Sequence, residues 1–173
     1  MKRKIFNNIY LYKPDSKNKK DLSELYFIIE QFYESFLKSL YPCEIYNYLD
    51  YFLSEDAIKD KIEFDKNNYY VINFKDKAEG FFNFKIFDNS LFLSEIFVSD
   101  KHRNKGVARF VLNFLIEKAK EENIKTIQTS IYKNNTVART IFNKLGFKQT
   151  ETIAKYLGSD IYIFEDKFEY LLN

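Results

Sequence analysis

Between residues 68 and 98 the sequence alternates short apolar runs with two polar breaks, Lys75-Asp76-Lys77 and Asp88-Asn89-Ser90, the texture of three strands joined by tight turns. After Val98 the period changes: Val107, Phe110, Val111, Phe114 and Leu115 recur at three and four residues, one face of a helix that Glu121-Glu122-Asn123 closes. An antiparallel meander followed by an amphipathic helix is an α/β pattern, and neither element can bury its apolar face alone. The flanking segments follow the same two periods. A strand is predicted over 4–13, stopped at Pro14-Asp15-Ser16. From Asp21 the apolar positions Leu22, Leu25, Ile28, Ile29, Phe32, Phe36, Leu37 and Leu40 predict a helix that Pro42 ends. A shorter, interrupted helical region over 44–64 restarts at Ser54, an N-cap ahead of the acids Glu55 and Asp56. Beyond Asn123 come a strand (124–131), a helix (136–145) and two further strands (147–154 and 161–170).

At 173 residues the chain suffices for one domain with a sizeable core and is short for two, so 1–173 is read as a single domain. Asn, Lys, Ile, Phe and Tyr make up more than half of it, the bias of an AT-rich coding genome, which strips aromatic-rich stretches of most functional meaning. Lys and Arg number 27 against 25 Asp and Glu, with the signs interspersed; that balance argues against a nucleic-acid binder, the run Lys17-Asn18-Lys19-Lys20 included. One cysteine excludes an internal disulfide, and one histidine excludes the clustered ligands of a zinc centre, so no metal is expected. The start Met1-Lys2-Arg3-Lys4 leads into a stretch broken by Asn7 and Asn8 with no small-residue cleavage site, and nowhere do about 18 apolar residues run together. The expectation is a soluble cytoplasmic protein with no membrane partner.

Only four glycines are present, where average usage would give about twelve. Gly106 lies in Arg103-Asn104-Lys105-Gly106-Val107-Ala108, after a strand and at a helix start. There, unpaired N–H groups and the helix dipole favour an anion, and a residue without a side chain lets backbone approach a phosphate. About thirty residues on, Asn135-Thr136-Val137-Ala138-Arg139-Thr140-Ile141-Phe142-Asn143-Lys144-Leu145-Gly146-Phe147 opens with a helix N-cap at Asn135 and closes with a C-cap at Gly146.

Together the two blocks resemble the signature of the GCN5-related N-acetyltransferases, V-x-x-x-x-R/Q-x-x-G-x-G/A followed by N-x-x-A-x-x-x-Y-x-x-x-G-F. Val98, Arg103, Gly106 and Ala108, then Asn135, Ala138, Gly146 and Phe147, match in order and spacing. The close similarity spans 91–150. It implies a mixed, mostly antiparallel sheet with helices on both faces and an acetyl-CoA site. There the backbone of Ile96, Phe97 and Val98 pairs with the pantetheine arm, and Arg103, Asn104, Lys105, Gly106, Val107 and Ala108 receive the pyrophosphate. Asn135 reaches the cofactor from a helix start. More weakly, residues 54–64 and 151–169 look like the bacterial polyamine or small-amine branch. The implied activity is direct acetyl transfer to an amine acceptor, small amine or polyamine ahead of protein amine, and a homodimer is left open.

An alkyl ammonium must lose a proton before its nitrogen can attack a thioester. Glu95, which interrupts the apolar strand before Val98, is the candidate acceptor of that proton, the other reading being a glutamate paired with a lysine or facing water at the sheet surface. The backbone N–H of Phe97 or Val98 is the expected oxyanion donor. Phe142 stands where the family pattern has a tyrosine that often protonates the leaving thiolate; it can only pack against the thioester, and Tyr132 is the replacement hydroxyl. That departure keeps an alternative open, a non-catalytic acyl-CoA-binding sensory or partner-binding module. Tyr41, Tyr46, Tyr48, Tyr51 and Phe52 with Glu44 and Asp50 could grip a cation, though plain core packing is the stronger reading. Glu165, Asp166 and Glu169 read as a solvated strand edge, and His102 as a surface loop histidine beside the phosphate loop.

Overall fold

The computed structural model describes residues 4–6, 8–34, 54–64, 67–158 and 161–172. Asn8, with φ of 65°, turns the first segment back on itself, so the single strand expected over 4–13 is a hairpin: β1 (Lys4–Phe6) pairs antiparallel with β2 (Ile9–Tyr12). Asparagine tolerates that left-handed conformation, and the apolar runs on either side of it are long enough to pair. Helix α1 (Lys19–Phe32) starts earlier than its apolar stripe because the Asn18 side chain accepts from the N–H groups of Lys20 and Asp21. The basic run at 17–20 is thus a helix entry. Phe36, Leu37, Leu40 and Pro42 lie outside the described residues, as do all the aromatic and acidic residues over 41–52 that could grip a cation. Helix α2 (Glu55–Glu63) is capped as expected, Ser54 Oγ accepting from the Ala57 N–H at 3.2 Å.

The meander stands where the polar breaks put it: β3 (Asn68–Phe74), β4 (Lys77–Phe87) and β5 (Ser90–Val98). Then follow α3 (Val107–Glu121), β6 (Thr126–Tyr132), α4 (Thr136–Lys144), β7 (Lys148–Gly158) and β8 (Ile161–Leu171). Pairing is mixed and mostly antiparallel, as the fold expectation required. β2 with β3, β3 with β4, β6 with β8 and β7 with β8 run antiparallel, whereas Ser90 to Leu93 of β5 run parallel to Thr126 to Thr129 of β6.

Two compact units make up the chain, one drawn from Met1–Lys85 and Glu95–Val107, the other from Ile86–Ser94 and Ala108–Asn173. In the first, Leu25, Ile28, Ile29 and Phe32 of α1 and Ile58 of α2 bury against Tyr12, Tyr69, Val71, Phe81 and Phe97 of the strands. The Phe32 ring meets Phe81 edge-on at 5.6 Å and Phe97 at 5.1 Å. Tyr12 adds a polar tie, its hydroxyl donating to the Glu24 carboxylate of α1; burial holds that phenol well above the usual tyrosine range. In the second unit the predicted α3 face is buried, with Phe110, Val111, Phe114 and Leu115 all under 10% exposed. β6 alternates buried Ile127, Thr129 and Ile131 with half-buried neighbours, the period of a strand covered more fully on one face.

Candidate active site

Past Val98 the chain makes one 3-10 turn (Asp100–His102), takes Asn104 through φ of 60° and Gly106 through φ of 80°, and enters α3. A Cβ built on Gly106 would meet nothing within 4 Å among the described residues, so glycine is needed there for its backbone angle, and those residues leave the space over the loop open. Gly106 has no side chain with which to cap α3, and the first turn of that helix carries no acid; its positive end therefore meets no carboxylate of its own. Arg103 braces the loop, its Nε donating to the Val98 carbonyl at 3.0 Å and Nη2 pairing with Asp100 Oδ1 at 2.7 Å. Lys105 is exposed beside it, while Val107 is buried and Ala108 half-buried. An open, glycine-centred, cationic helix entry of this kind fits a pyrophosphate.

Beneath the loop, Glu79 of β4 is buried and multiply bonded. It accepts from Ser99 Oγ at 2.8 Å and Lys101 Nζ at 2.6 Å, and its carbonyl takes the Ser99 N–H at 2.8 Å. Burial pushes this carboxyl up, but the bonds from Lys101 and Ser99 outweigh it and hold the group below the usual carboxylate range. His102 is not the surface loop histidine expected. Its ring stacks on Phe74 with centroids 3.7 Å apart, its Nδ1 is buried with no hydrogen-bond partner among the described residues, and Nε2 stands 4.0 Å from Glu79. Burial pushes the imidazole down; Glu79 opposes that shift, while Lys105 and Lys101 reinforce it. With the folded-state value below 6.5, the unfolded chain takes up the proton first as pH falls, so stability is lost below about 6.5. His102 is the chain's one histidine. His102→Phe, which keeps a ring on Phe74, is therefore expected to flatten urea-melt stability between pH 7 and about 5.5; an unchanged slope would show that the ring does not titrate there.

The strand before the loop is shaped by Gly80. A Cβ on that residue would lie 2.3 Å from the Phe97 carbonyl oxygen and 3.2 Å from Val98 Cα, so the Phe97–Val98 peptide occupies the place of a β4 side chain. Nothing in the residues around Gly80 marks this role; the one signal for it is the scarcity of glycine in the chain. Ile96 is half-buried and Phe97 6% exposed. Glu95, also half-buried, accepts a hydrogen bond from the Asn83 side-chain amide of β4, a partner that nothing in the local sequence pattern singled out.

In the other unit Asn135 is the expected N-cap, its Oδ1 accepting from the Ala138 N–H at 3.0 Å. Gly146, with φ of 94°, ends α4 as expected. Phe142 is buried, edge-on to Phe147 with centroids 5.0 Å apart, and Tyr132 at the end of β6 accepts from the Asn134 amide at 3.2 Å. One expectation is overturned: Asp166 is 1% exposed, not solvated, because β8 lies between β6 and β7 and is no edge. Arg139 Nε of α4 pairs with it at 2.9 Å and Thr152 Oγ1 donates at 2.6 Å. Glu165 stands 3.8 Å from Lys155, and Glu169 accepts from the Gln128 amide at 2.7 Å. Among the described residues no group of three His, Cys, Asp or Glu could hold a metal, and no helix is long and apolar enough to cross a membrane.

Known proteins resemble this chain in sequence and in fold. A plant protein, GCN5-related N-acetyltransferase 6, chloroplastic, of Arabidopsis thaliana, is 30% identical over 76 residues, 43% of this chain and 26% of its own length. The matched stretch is thus about a quarter of that relative. The crystal structure of the paiA N-acetyltransferase from Thermoplasma acidophilum in complex with coenzyme A superposes with a TM-score of 0.76 at 17% identity, over 95% of this chain and 99% of that one. The ribosomal-protein-S5-alanine acetyltransferase from Vibrio fischeri does so with a TM-score of 0.75 at 16% identity, over 99% and 97%. At such identities the likeness is one of fold. The model of the acetyltransferase (GNAT) family matches residues 29–147, more than two thirds of the chain, and takes in the Gly106 loop, Glu95 and the whole of α4; the chain belongs to that family.

Proposed function

We propose that the chain works as a single domain that moves an acetyl group from acetyl-CoA directly to the nitrogen of an amine, a small amine or polyamine ahead of a protein amine. The observation that carries this reading is the Gly106 loop, whose left-handed backbone and open space at the start of α3 suit a pyrophosphate. In this reading Arg103, Asn104, Lys105, Val107 and Ala108 take the diphosphate and Ile96, Phe97 and Val98 the pantetheine arm, while the family resemblance assigns Asn135 and Phe142 to the cofactor. Acetyl-CoA supplies the activated acyl carbon. Glu95 takes a proton from the bound ammonium, the neutral nitrogen gives its lone pair to that carbon, the C–S bond breaks with its electron pair on sulfur, and the proton the nitrogen then sheds passes to water or to the departing sulfur. A thiol has a reference pKa near 8.5, so the sulfur leaves tolerably as a thiolate and is then protonated, a role that falls to Tyr132 or water. The Phe97 carbonyl points at Gly80, and in a trans peptide the N–H of Val98 points the opposite way. Of the two expected oxyanion donors, Val98 is therefore the one the reading retains. Support for a small amine comes from the resemblance over 54–64 and 151–169.

The test is calorimetric titration with acetyl-CoA, with adenosine diphosphate as the control for the pyrophosphate alone. Acetyl-CoA is expected to bind at least about tenfold more tightly than the diphosphate, because the pantetheine arm adds contacts the diphosphate lacks. If neither binds, the reading fails. Binding of acetyl-CoA with no transfer to any small amine or peptide N-terminus would assign the chain to the non-catalytic alternative.

A further inference from the structure

We propose that Asn83 holds the acceptor amine against Glu95, its Oδ1 accepting one N–H of the nucleophile while Glu95 takes another, so that the site selects primary amines. This rests on the reading of Glu95 as the proton acceptor. Asn83 is 2% exposed, and its Nδ2 donates to Glu95 Oε2. A carboxylate oxygen can only accept, so the amide nitrogen must face Glu95, and the orientation of the amide follows from chemistry. Oδ1 is thereby turned away from Glu95. It is buried and has no hydrogen-bond partner among the described residues. Buried acceptors of this kind are nearly always satisfied in folded proteins, so one left open beside a candidate base calls for a donor that arrives with a ligand.

The position of the pair agrees. Asn83 is two residues from Phe81 on β4, and Glu95 two from Phe97 on β5; residues two apart share a face of a strand. Phe81 and Phe97 belong to the core that α1 and α2 cover, and their rings are 6.3 Å apart. Asn83 and Glu95 therefore sit together on that same face. A neutral primary amine has two N–H groups and one lone pair: one N–H for Glu95, one for Asn83 Oδ1, and the lone pair for the acyl carbon. A secondary amine has a single N–H and cannot satisfy both oxygens.

The test compares kcat/KM for 1,4-diaminobutane and N,N′-dimethyl-1,4-diaminobutane, and for an alanyl and an N-methylalanyl peptide, in the native protein, Asn83→Leu and Asn83→Asp. The native protein is expected to prefer the primary member of whichever pair it acetylates by about tenfold or more, the worth of one well-formed buried hydrogen bond. In Asn83→Leu, nearly the same size, the preference should fall to within about twofold, with acetyl-CoA affinity unchanged by calorimetry. A merely structural Asn83 would leave the preference intact, whatever the change in melting temperature. Asn83→Asp keeps an acceptor oxygen and sets a second carboxylate beside Glu95. Its primary preference should persist while the acid limb of the pH–rate profile moves up, and it carries the test should the leucine variant not fold. An unaltered preference in Asn83→Leu, an unmoved acid limb in Asn83→Asp, or a native protein that binds acetyl-CoA yet acetylates neither pair overturns the inference. A native protein that binds no acetyl-CoA overturns the underlying reading instead.

Discussion

Gly106→Glu is expected to weaken acetyl-CoA binding by a hundredfold or more, while Gly106→Ala weakens it far less. The two variants share one cost. At φ of 80° any residue with a Cβ is strained by about 1–2 kcal/mol, and because that Cβ meets nothing within 4 Å, no clash is added. Their melting temperatures should therefore fall together. What distinguishes them is charge. A carboxylate in the loop stands within a few ångströms of the proposed pyrophosphate, where like charges near a protein surface repel by about 4 kcal/mol, enough for a loss on the order of a thousandfold before the side chain swings away. Calorimetry on both variants beside thermal melts separates backbone strain from ligand repulsion. Equal affinities in the Glu and Ala proteins would place the diphosphate elsewhere.

How much of this could be read from the sequence depends on how far apart the cooperating residues lie. The Gly106 loop and the Asn135 cap are local: the side chain or its absence acts on backbone within four residues, so spacing alone announces them. The meander was equally legible, since its turns are marked by polar triplets. Gly80, Asn83 and Asp166 were not. Gly80 is required by a peptide 17 residues later, the Asn83 amide by a carboxylate 12 residues later, and Asp166 is buried because β8 pairs on both sides. Their local contexts read as an ordinary strand glycine, a polar residue in an aromatic run and an acidic strand end, and each acquires its meaning only from pairing register. The first hairpin was misread for a related reason, since one left-handed asparagine is enough to fold a short strand in two.

Glu95→Gln is expected to lower kcat/KM for the amine by 10²- to 10⁴-fold, the range that a positioned general base contributes, with acetyl-CoA affinity unchanged. Glutamine suits the test because its Oε1 can accept the Asn83 amide as the carboxylate does, so the strand pairing and the orientation of the side chain survive while proton uptake is lost. The loss should widen as pH falls. An alkyl amine with a reference pKa near 10.4 is almost wholly protonated at neutral pH, and each unit downward cuts the neutral, nucleophilic fraction tenfold. A protein that can relieve the bound ammonium of its proton is buffered against that decline; the glutamine variant must wait for the neutral form and should follow it with unit slope. Profiles of kcat/KM between pH 6 and 9.5 for the two proteins therefore diverge at the acid end and approach each other at the alkaline end. If the variant is slower by the same factor at every pH, Glu95 orients the amine without taking its proton, and if the two profiles coincide it has no part in the reaction.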